Sequence, residues 1–202
     1  TSPVVQKQLG VDRPDFGTLL DNMSVIDGAP IEISDLIQPK VEAEIAIVLG
    51  RDLTHERHTA ADLITATDYA LASIEVVDSR IADWRIQYVD TVADNASSGR
   101  FVLGTQPMAL SRLDLTGLSM EMRAEDTVVS QGRGAACLGN PLNALRWLAD
   151  TMVAMNTPLR AGDIVLTGAL GPMVTVKPGQ TYCAHIEGFA PIRAIFSGES
   201  NA

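Results

Sequence analysis

The chain has 202 residues, of which 46% are hydrophobic, and it carries a formal net charge of −10 with an isoelectric point near 4.6. That length and hydrophobic content suffice for the core of one domain, which we expect to span residues 1–202. The acidic balance argues against nucleic acid or a polyanionic membrane as a partner, because both are negatively charged. A small anionic substrate would need a local positive charge, which a bound metal ion can supply.

The two cysteines, Cys137 and Cys183, stand in unrelated contexts without CxxC spacing. This usage favours free thiols in a reducing compartment. The sequence shows no signal-peptide pattern and no apolar run of 18 residues. We therefore expect a cytoplasmic protein that has no membrane partner.

Residues 1–38 hold short apolar pieces broken by glycine and proline, which predicts turns and short strands. Asp15 lies in the turn Arg13-Pro14-Asp15-Phe16-Gly17. A turn aspartate commonly hydrogen-bonds its own backbone. On the residues alone, Asp15 indicates a turn rather than a site.

A buried strand is predicted within residues 38–50, where an apolar, β-branched run ends in glycine. Glu42 and Glu44 lie two residues apart on it, so their side chains project from the same face. Two like charges about 4 Å apart repel by roughly 4 kcal/mol at an effective dielectric of about 20. The pair therefore predicts a cation, and oxygen ligands favour Mg²⁺, Mn²⁺ or Ca²⁺ over zinc.

The next segment is polar and holds His55 and His58, three residues apart, which we interpret as a solvated loop because no third ligand is near. Thr59 and Asp62 resemble a capping box and predict a helix that runs to about Tyr69.

A second buried strand is predicted over residues 71–81, and Glu75 interrupts its apolar run with a charge. A buried glutamate must be paired, protonated or bound to a metal. Two interpretations stay open at this point. Glu75 is either a third carboxylate ligand beside Glu42 and Glu44, or the partner of Arg80 in a buried ion pair.

Small polar residues fill the loop 92–100, which is suited either to a simple connection or to a pocket for a small polar molecule. A hairpin is predicted over residues 118–131. Asn140 and Pro141 then begin the clearest helix, as N-cap and first helical residue. Its apolar stripe, which predicts core packing, comprises Leu142, Leu145, Leu148, Met152 and Met155.

The last part of the chain alternates strands, predicted at 163–167, 173–176, 181–186 and 191–196, with glycine turns. The glycines of 167–172 suit either close approach to a ligand or a tight connection. Many strands, two moderate helices and no βαβ rhythm predict an α+β, β-rich fold with a mixed sheet rolled on itself.

Six stretches of the chain together resemble the 2-hydroxypenta-2,4-dienoate hydratases, of the hydratase and decarboxylase branch of the fumarylacetoacetate hydrolase superfamily. They are QLGVDRPDFGTL, PKVEAEIAIVLGRDL, IEVVDSRIADWRI, DTVADNASSG, CLGNPLNA and GDIVLTGALGPMV. The resemblance implies the fold of the superfamily's C-terminal domain. It also implies a Mg²⁺ or Mn²⁺ site formed by Glu42, Glu44 and Glu75.

The same resemblance implies roles for further residues. The substrate would be a small 2-hydroxydienoate or 2-oxo acid, hydrated at C4 to 4-hydroxy-2-oxopentanoate as part of aromatic meta-cleavage catabolism. Asp15 and Ser97 would serve proton transfer, and Asn95, Thr167 and Gly168 would contact the substrate. A small upstream segment of the family, carrying a lysine expected at the active site, would precede residue 1.

Two alternatives remain open. The related 2-oxo-3-hexenedioate (4-oxalocrotonate) decarboxylases would share the metal ligands, and a catalytically silent scaffold subunit would share the fold. The resemblance further implies a homo-oligomer, with association with a pathway decarboxylase or aldolase as a further expectation.

Overall fold

A computed structural model of the protein describes residues 1–198, and the secondary structure of that part is α+β and rich in strands, as predicted. Its helices are α1 (Pro3–Leu9), α2 (Ala60–Ala66), α3 (Tyr88–Ala93) and α4 (Pro141–Ala154). Its strands are β1 (Ser24–Ile26), β2 (Pro30–Ile31), β3 (Pro39–Leu49), β4 (Thr67–Asp78), β5 (Ser98–Leu103), β6 (Ser119–Ala124), β7 (Thr127–Arg133), β8 (Ile164–Leu166), β9 (Val174–Thr175), β10 (Thr181–Ile186) and β11 (Ile192–Phe196).

The strands form two sheets rather than one continuous sheet. The six-stranded sheet has the order β1-β5-β4-β3-β8, with β9 also paired to β3, and the five-stranded sheet has the order β2-β11-β10-β6-β7. Both contain parallel and antiparallel pairs. Side chains of both sheets and of α2 and α4 pack into one hydrophobic core, which confirms the predicted β-rich mixed fold.

The β3–β4 ladder is the central feature of the larger sheet. The two strands pair antiparallel from Pro39 opposite Asp78 to Leu49 opposite Thr67, with a register shift near the end. Ile45, Ala46 and Ile47 are fully buried, as the apolar run predicts. The ladder is therefore a rigid element from which side chains can be presented.

Two helices were missed and a third was predicted too long. Helices α1 and α3 have only seven and six residues, which give too weak a periodic pattern. Pro3 begins α1, and Gly10 ends it in the left-handed region. Helix α2 has the predicted capping box, with Thr59 and Asp62 bonded reciprocally. It ends at Ala66 rather than Tyr69, because residues from Thr67 onward pair with β3.

Helix α4 confirms its predicted start, because the Asn140 side chain accepts a hydrogen bond from the Leu142 N–H at 2.8 Å. Most of its apolar stripe packs against the core, but Met155 is 56% exposed and lies just beyond the last turn. The hairpin is confirmed as β6 and β7. No helix in the described part of the chain is long and apolar enough to cross a membrane.

Candidate active site

The ladder brings three carboxyl groups to one face of the larger sheet. Glu42 on β3 lies directly opposite Glu75 on β4, and Glu44 follows two residues later on the same face. Glu44 and Glu75 also lie within hydrogen-bonding reach of each other. The residues predicted as metal ligands are thus brought together.

Burial and mutual repulsion perturb all three carboxyl groups. Glu42 and Glu44 are 5% and 1% exposed, and burial followed by the charge of a neighbouring glutamate raises the pKa of each from 4.5 to about 8. Burial and the neighbouring Glu44 raise the pKa of Glu75 well above its usual value. At neutral pH the cluster on its own therefore retains protons, which a cation would displace.

The ion-pair interpretation of Glu75 was wrong, because Arg80 binds elsewhere. Its Nε lies 2.6 Å from Asp94 Oδ1. Lys40 does not neutralise the cluster by an ion pair either; its Nζ lies 4.1 Å from the centroid of the Trp84 ring. Among residues 1–198, no Lys, Arg or His forms an ion pair with the three glutamates.

The donor set suits a hard divalent cation, since it offers two buried carboxyl groups and the half-buried one of Glu75, with no sulfur or nitrogen ligand. Two buried hydroxyls without a hydrogen-bond partner adjoin it: Ser2 in the cavity wall and Ser73 opposite Glu44 in the ladder. In their present conformations, no three Asp, Glu, His or Cys side chains within residues 1–198 are arranged so that they could together hold a metal ion. The chemistry of the donor set nevertheless fits a cation.

A cavity of about 730 Å³ opens over the carboxyl cluster. Its polar lining includes the three glutamates with Asp15, Ser97 and Thr167. Its apolar lining includes Phe16, Leu20, Trp147, Leu148, Met152 and Ile164, and Asp21 and Asp163 also line the cavity. The described residues that line the cavity include no Lys, Arg or His.

Asp15 lies in this cavity and does not simply close its own turn. Its Oδ2 accepts a hydrogen bond of 2.6 Å from the buried Thr91 hydroxyl on α3. The next residue, Phe16, packs edge-to-face on Trp147 of α4, with ring centroids 6.2 Å apart. The segment that carries Asp15 is therefore fixed between two helices.

Ser97 also lines the cavity, at the end of a turn after α3. Its hydroxyl donates to Asp94 Oδ2 at 3.0 Å. Asn95 lies in the same turn, but its side-chain amide is engaged on both sides by Thr18: Oδ1 accepts from the Thr18 N–H, and Nδ2 donates to the Thr18 carbonyl. Asn95 thus holds the neighbouring segment, and it is not among the residues that line the cavity.

Thr167 and Gly168 also line the cavity. The Gly168 N–H donates to Glu44 Oε2 at 2.7 Å, and this bond opposes the rise in the Glu44 pKa. The Thr167 hydroxyl donates to the Ile45 carbonyl. The donors of both residues are thus used to hold β3 and its glutamate.

The prediction of a solvated histidine loop was wrong for His58. This side chain is buried, and its Nδ1 lies 2.7 Å from Asp150 Oδ1 on α4. His55 is exposed, with its ring centroid 5.7 Å from that of His58. Neither residue lines the cavity.

Sequence reasoning missed the residues that support the site. Thr91, Asp94 and Trp147 contact candidate residues, yet each occurs in a context typical of ordinary helix or loop positions. The available signal was weak: Asp94 and Ser97 share the polar loop, whereas Thr91 and Trp147 reach Asp15 and Phe16 only through the tertiary fold.

Residues 5–196 match the family described as the fumarylacetoacetate (FAA) hydrolase C-terminal domain. A 2-keto-4-pentenoate hydratase of Burkholderia vietnamiensis is 64% identical over 197 residues, which cover 98% of this chain and 75% of that protein. A 2-hydroxyhexa-2,4-dienoate hydratase of Comamonas testosteroni is 43% identical and is matched over 93% of this chain and 72% of its own length.

The fold also has a solved counterpart. The 4-oxalocrotonate decarboxylase of Pseudomonas putida G7, complexed with magnesium and adipate, superposes with a TM-score of 0.87 at 36% identity. The match covers 95% of this chain and 73% of the decarboxylase. The similarity thus extends over nearly all of the described fold.

Proposed function

Because the chain belongs to the fumarylacetoacetate hydrolase family, we propose that it is a hydro-lyase that hydrates 2-hydroxypenta-2,4-dienoate to 4-hydroxy-2-oxopentanoate. The reaction belongs to the meta-cleavage catabolism of aromatic compounds. The high identity to hydratases over almost the whole chain supports this assignment.

The observation that carries the proposal is the three-glutamate face in a partly apolar cavity. A dienoate has a carboxylate and an oxygen at one end and a short hydrocarbon chain at the other. The polar groups of the lining suit the first end, provided that a cation offsets the glutamates, and its apolar side chains suit the second. The cavity thus offers both kinds of surface that the substrate presents.

Glu42, Glu44 and Glu75 are the residues that would hold the divalent cation, and Mg²⁺ or Mn²⁺ is the finer choice that we propose. A bound divalent ion would supply Lewis-acid stabilisation of negative charge on the substrate's 2-oxygen. Gly168 fixes Glu44 through its N–H, and Ser98 donates to Glu75 at 3.4 Å. Each of these bonds holds one oxygen of its carboxyl group.

The reaction requires two proton movements. Ketonisation moves the proton of the 2-hydroxyl to C5, and hydration then forms a C4–OH bond while a proton is added at C3. Asp15 is the ionisable group that we propose to accept and return these protons. Ser97 directs its own proton at Asp94, so its oxygen is left to accept a hydrogen bond from water or the 2-hydroxyl.

Thr167 and Gly168 are proposed as the wall against which the substrate lies, and Asn95 as an indirect contact that acts through the Thr18 segment. We further propose that residues 1–202 act as one catalytic domain, in a cytoplasmic homo-oligomer that associates with a pathway decarboxylase or aldolase. The two free cysteines and the acidic charge support the location.

The second candidate is decarboxylation of 2-oxo-3-hexenedioate, which the structural similarity to the decarboxylase favours. A dicarboxylate would bring a second negative charge into a cavity whose described lining has several acidic groups and no Lys, Arg or His. Like charges and apolar surface both disfavour that second carboxylate. The lining therefore supports the monocarboxylate substrate.

A direct comparison of the two substrates tests the assignment. Purified protein with Mg²⁺ is incubated with each acid, and we expect conversion of the dienoate to 4-hydroxy-2-oxopentanoate without carbon dioxide release from the dicarboxylate. Carbon dioxide release without hydration would reassign the enzyme as a decarboxylase. If neither activity is observed with Mg²⁺ or with Mn²⁺, the silent scaffold subunit would be favoured.

A further inference from the structure

The segment 88–97, which comprises α3 and the turn after it, orients both Asp15, which is proposed to transfer protons, and Ser97, whose oxygen is proposed to accept a hydrogen bond. Thr91 on the helix donates to Asp15, and Asp94 at the helix end accepts from Ser97. Two separate parts of the cavity wall are thus oriented by one short segment. Neither Thr91 nor Asp94 has a role in the assignment above.

Thr91 is matched to Asp15 by its burial and its geometry. It is 1% exposed, and its hydroxyl lies 2.6 Å from Asp15 Oδ2. A second bond from the same helix joins the Tyr88 hydroxyl to the Pro14 carbonyl at 3.3 Å. Both the carboxylate and the backbone before it are therefore held by α3, which fixes the rotamer of Asp15.

Asp94 is held more firmly than an ordinary surface carboxylate. Its side chain is 7% exposed, and its Oδ1 is paired with Arg80 Nε at 2.6 Å. Its Oδ2 accepts from the Arg80 N–H, from Ser79 and from Ser97. Because these contacts fix the Asp94 carboxylate, they keep the Ser97 hydroxyl proton directed at Asp94.

The backbone that carries Ser97 is strained. Asn95, Ala96 and Ser97 follow one another in the left-handed region, with φ of 56°, 54° and 56°. Such a conformation costs roughly 1–2 kcal/mol per residue for L-amino acids. The two hydrogen bonds between Asn95 and Thr18 help to offset it, and strain of this kind is typically retained where a site needs it.

We propose that Thr91 and Asp94 are positioning residues for the reaction: Thr91 sets the Asp15 carboxylate and Asp94 sets the Ser97 hydroxyl. The inference rests on the proposed hydration and on the roles of Asp15 and Ser97 in it. Through these two contacts, one segment fixes the Asp15 carboxylate and the Ser97 hydroxyl relative to each other.

The Thr91 contact is tested by exchanging the hydroxyl for a methyl group of the same shape. Thr91→Val is expected to lower kcat for dienoate hydration by about 10- to 100-fold with KM changed less than about twofold, the scale of loss from small misplacement of a reacting group. Thr91→Ser, which keeps the hydroxyl, is expected to restore most of kcat. Thr67→Val, which removes a comparable 2.8 Å bond to the Leu63 carbonyl outside the cavity, is the matched control.

Double-mutant cycles separate positioning from a general loss of stability. Thr91→Val is combined with Asp15→Asn, and Asp94→Asn with Ser97→Ala. If each positioning residue acts through its partner, the second substitution costs little once the partner is gone. Additive losses in both cycles, or wild-type kcat in Thr91→Val, would overturn the inference.

The outcomes distinguish this inference from the function on which it rests. Wild-type protein that does not hydrate the dienoate refutes the proposed function and the inference with it. An active wild type with additive losses refutes the inference alone. If Asp94→Asn does not fold because Arg80 loses its partner, the Thr91 variants and their cycle still decide.

Discussion

Glu42 and Glu75 lie directly opposite each other in the antiparallel ladder of β3 and β4. Like charges in directly opposed positions destabilise a sheet, and Glu44 adds a third acidic group on the same face. A structural role alone gives no reason for this arrangement. The arrangement suits a metal site, because a single ladder brings all three proposed ligands to one face.

The first prediction concerns the ligands. Glu75→Gln is expected to reduce Mg²⁺-dependent hydration by more than the roughly 10- to 100-fold that loss of an outer-shell partner costs. The same variant removes an acidic group whose pKa is raised by burial and by the neighbouring Glu44, so the metal-free protein is expected to melt at a higher temperature than wild type. Turnover with Mg²⁺ and melting in EDTA are the measurements.

Glu121→Gln is the matched control for that experiment, because Glu121 pairs with Arg123 on the other sheet and lies outside the cavity. It is expected to leave both turnover and metal affinity unchanged. Undiminished activity of Glu75→Gln at limiting Mg²⁺ would contradict the ligand assignment.

The second prediction follows from the raised pKa values of Glu42 and Glu44, each about 8 instead of 4.5. The folded protein then binds more protons than the unfolded chain between these values, so the free energy of unfolding of the metal-free protein falls as pH rises from about 4.5 to about 8. A divalent cation replaces the protons and should flatten this fall.

Melting temperatures from pH 5 to 8, in EDTA and in excess Mg²⁺, test that linkage. A chain of this size loses about 2–4 °C in Tm per kcal/mol. The gain from Mg²⁺ is expected to grow with pH, and to shrink in Glu44→Gln. An equal gain at every pH would show that the cation does not compete with these protons.

The placement of some residues could be predicted from the sequence, and that of others could not. Glu42 and Glu44 could be predicted because strand alternation fixes their common face, and Glu75 because a charge inside an apolar run needs a reason. The ion-pair partner of Arg80 could not be predicted, because its pairing with Asp94 instead of Glu75 depends on the conformation of the turn after α3. Thr67 belongs to a strand because β3 is available to pair with it, which local helix signals do not reveal.

The third prediction concerns substrate length. Leu148 belongs to the apolar lining of the cavity and packs against the core, so Leu148→Phe should narrow the cavity. The ratio of kcat/KM for 2-hydroxyhexa-2,4-dienoate to that for the pentadienoate is expected to fall by about tenfold, since one methylene is worth about 1–3 kcal/mol in an apolar pocket. Leu148→Met, which conserves volume, should leave the ratio within twofold. An unchanged ratio in the Phe variant would mean that the substrate chain points elsewhere.

The last prediction concerns Gly168, whose φ is +109° and whose N–H donates to Glu44. A Cβ at this position would clash with the Thr1 hydroxyl oxygen, and the positive φ also disfavours alanine, so we expect Gly168→Ala to disturb the segment whose N–H holds Glu44. We expect both a lower melting temperature and weaker Mg²⁺ binding by calorimetry. Gly179→Ala is the control, because Gly179 has a φ of +73° but only an ordinary contact at 3.8 Å. It should share the conformational cost, in general more than about 0.4–1 kcal/mol where φ is positive, without the loss of metal affinity. Equal Mg²⁺ affinity in the two variants would mean that the Gly168 N–H does not orient Glu44 for the cation.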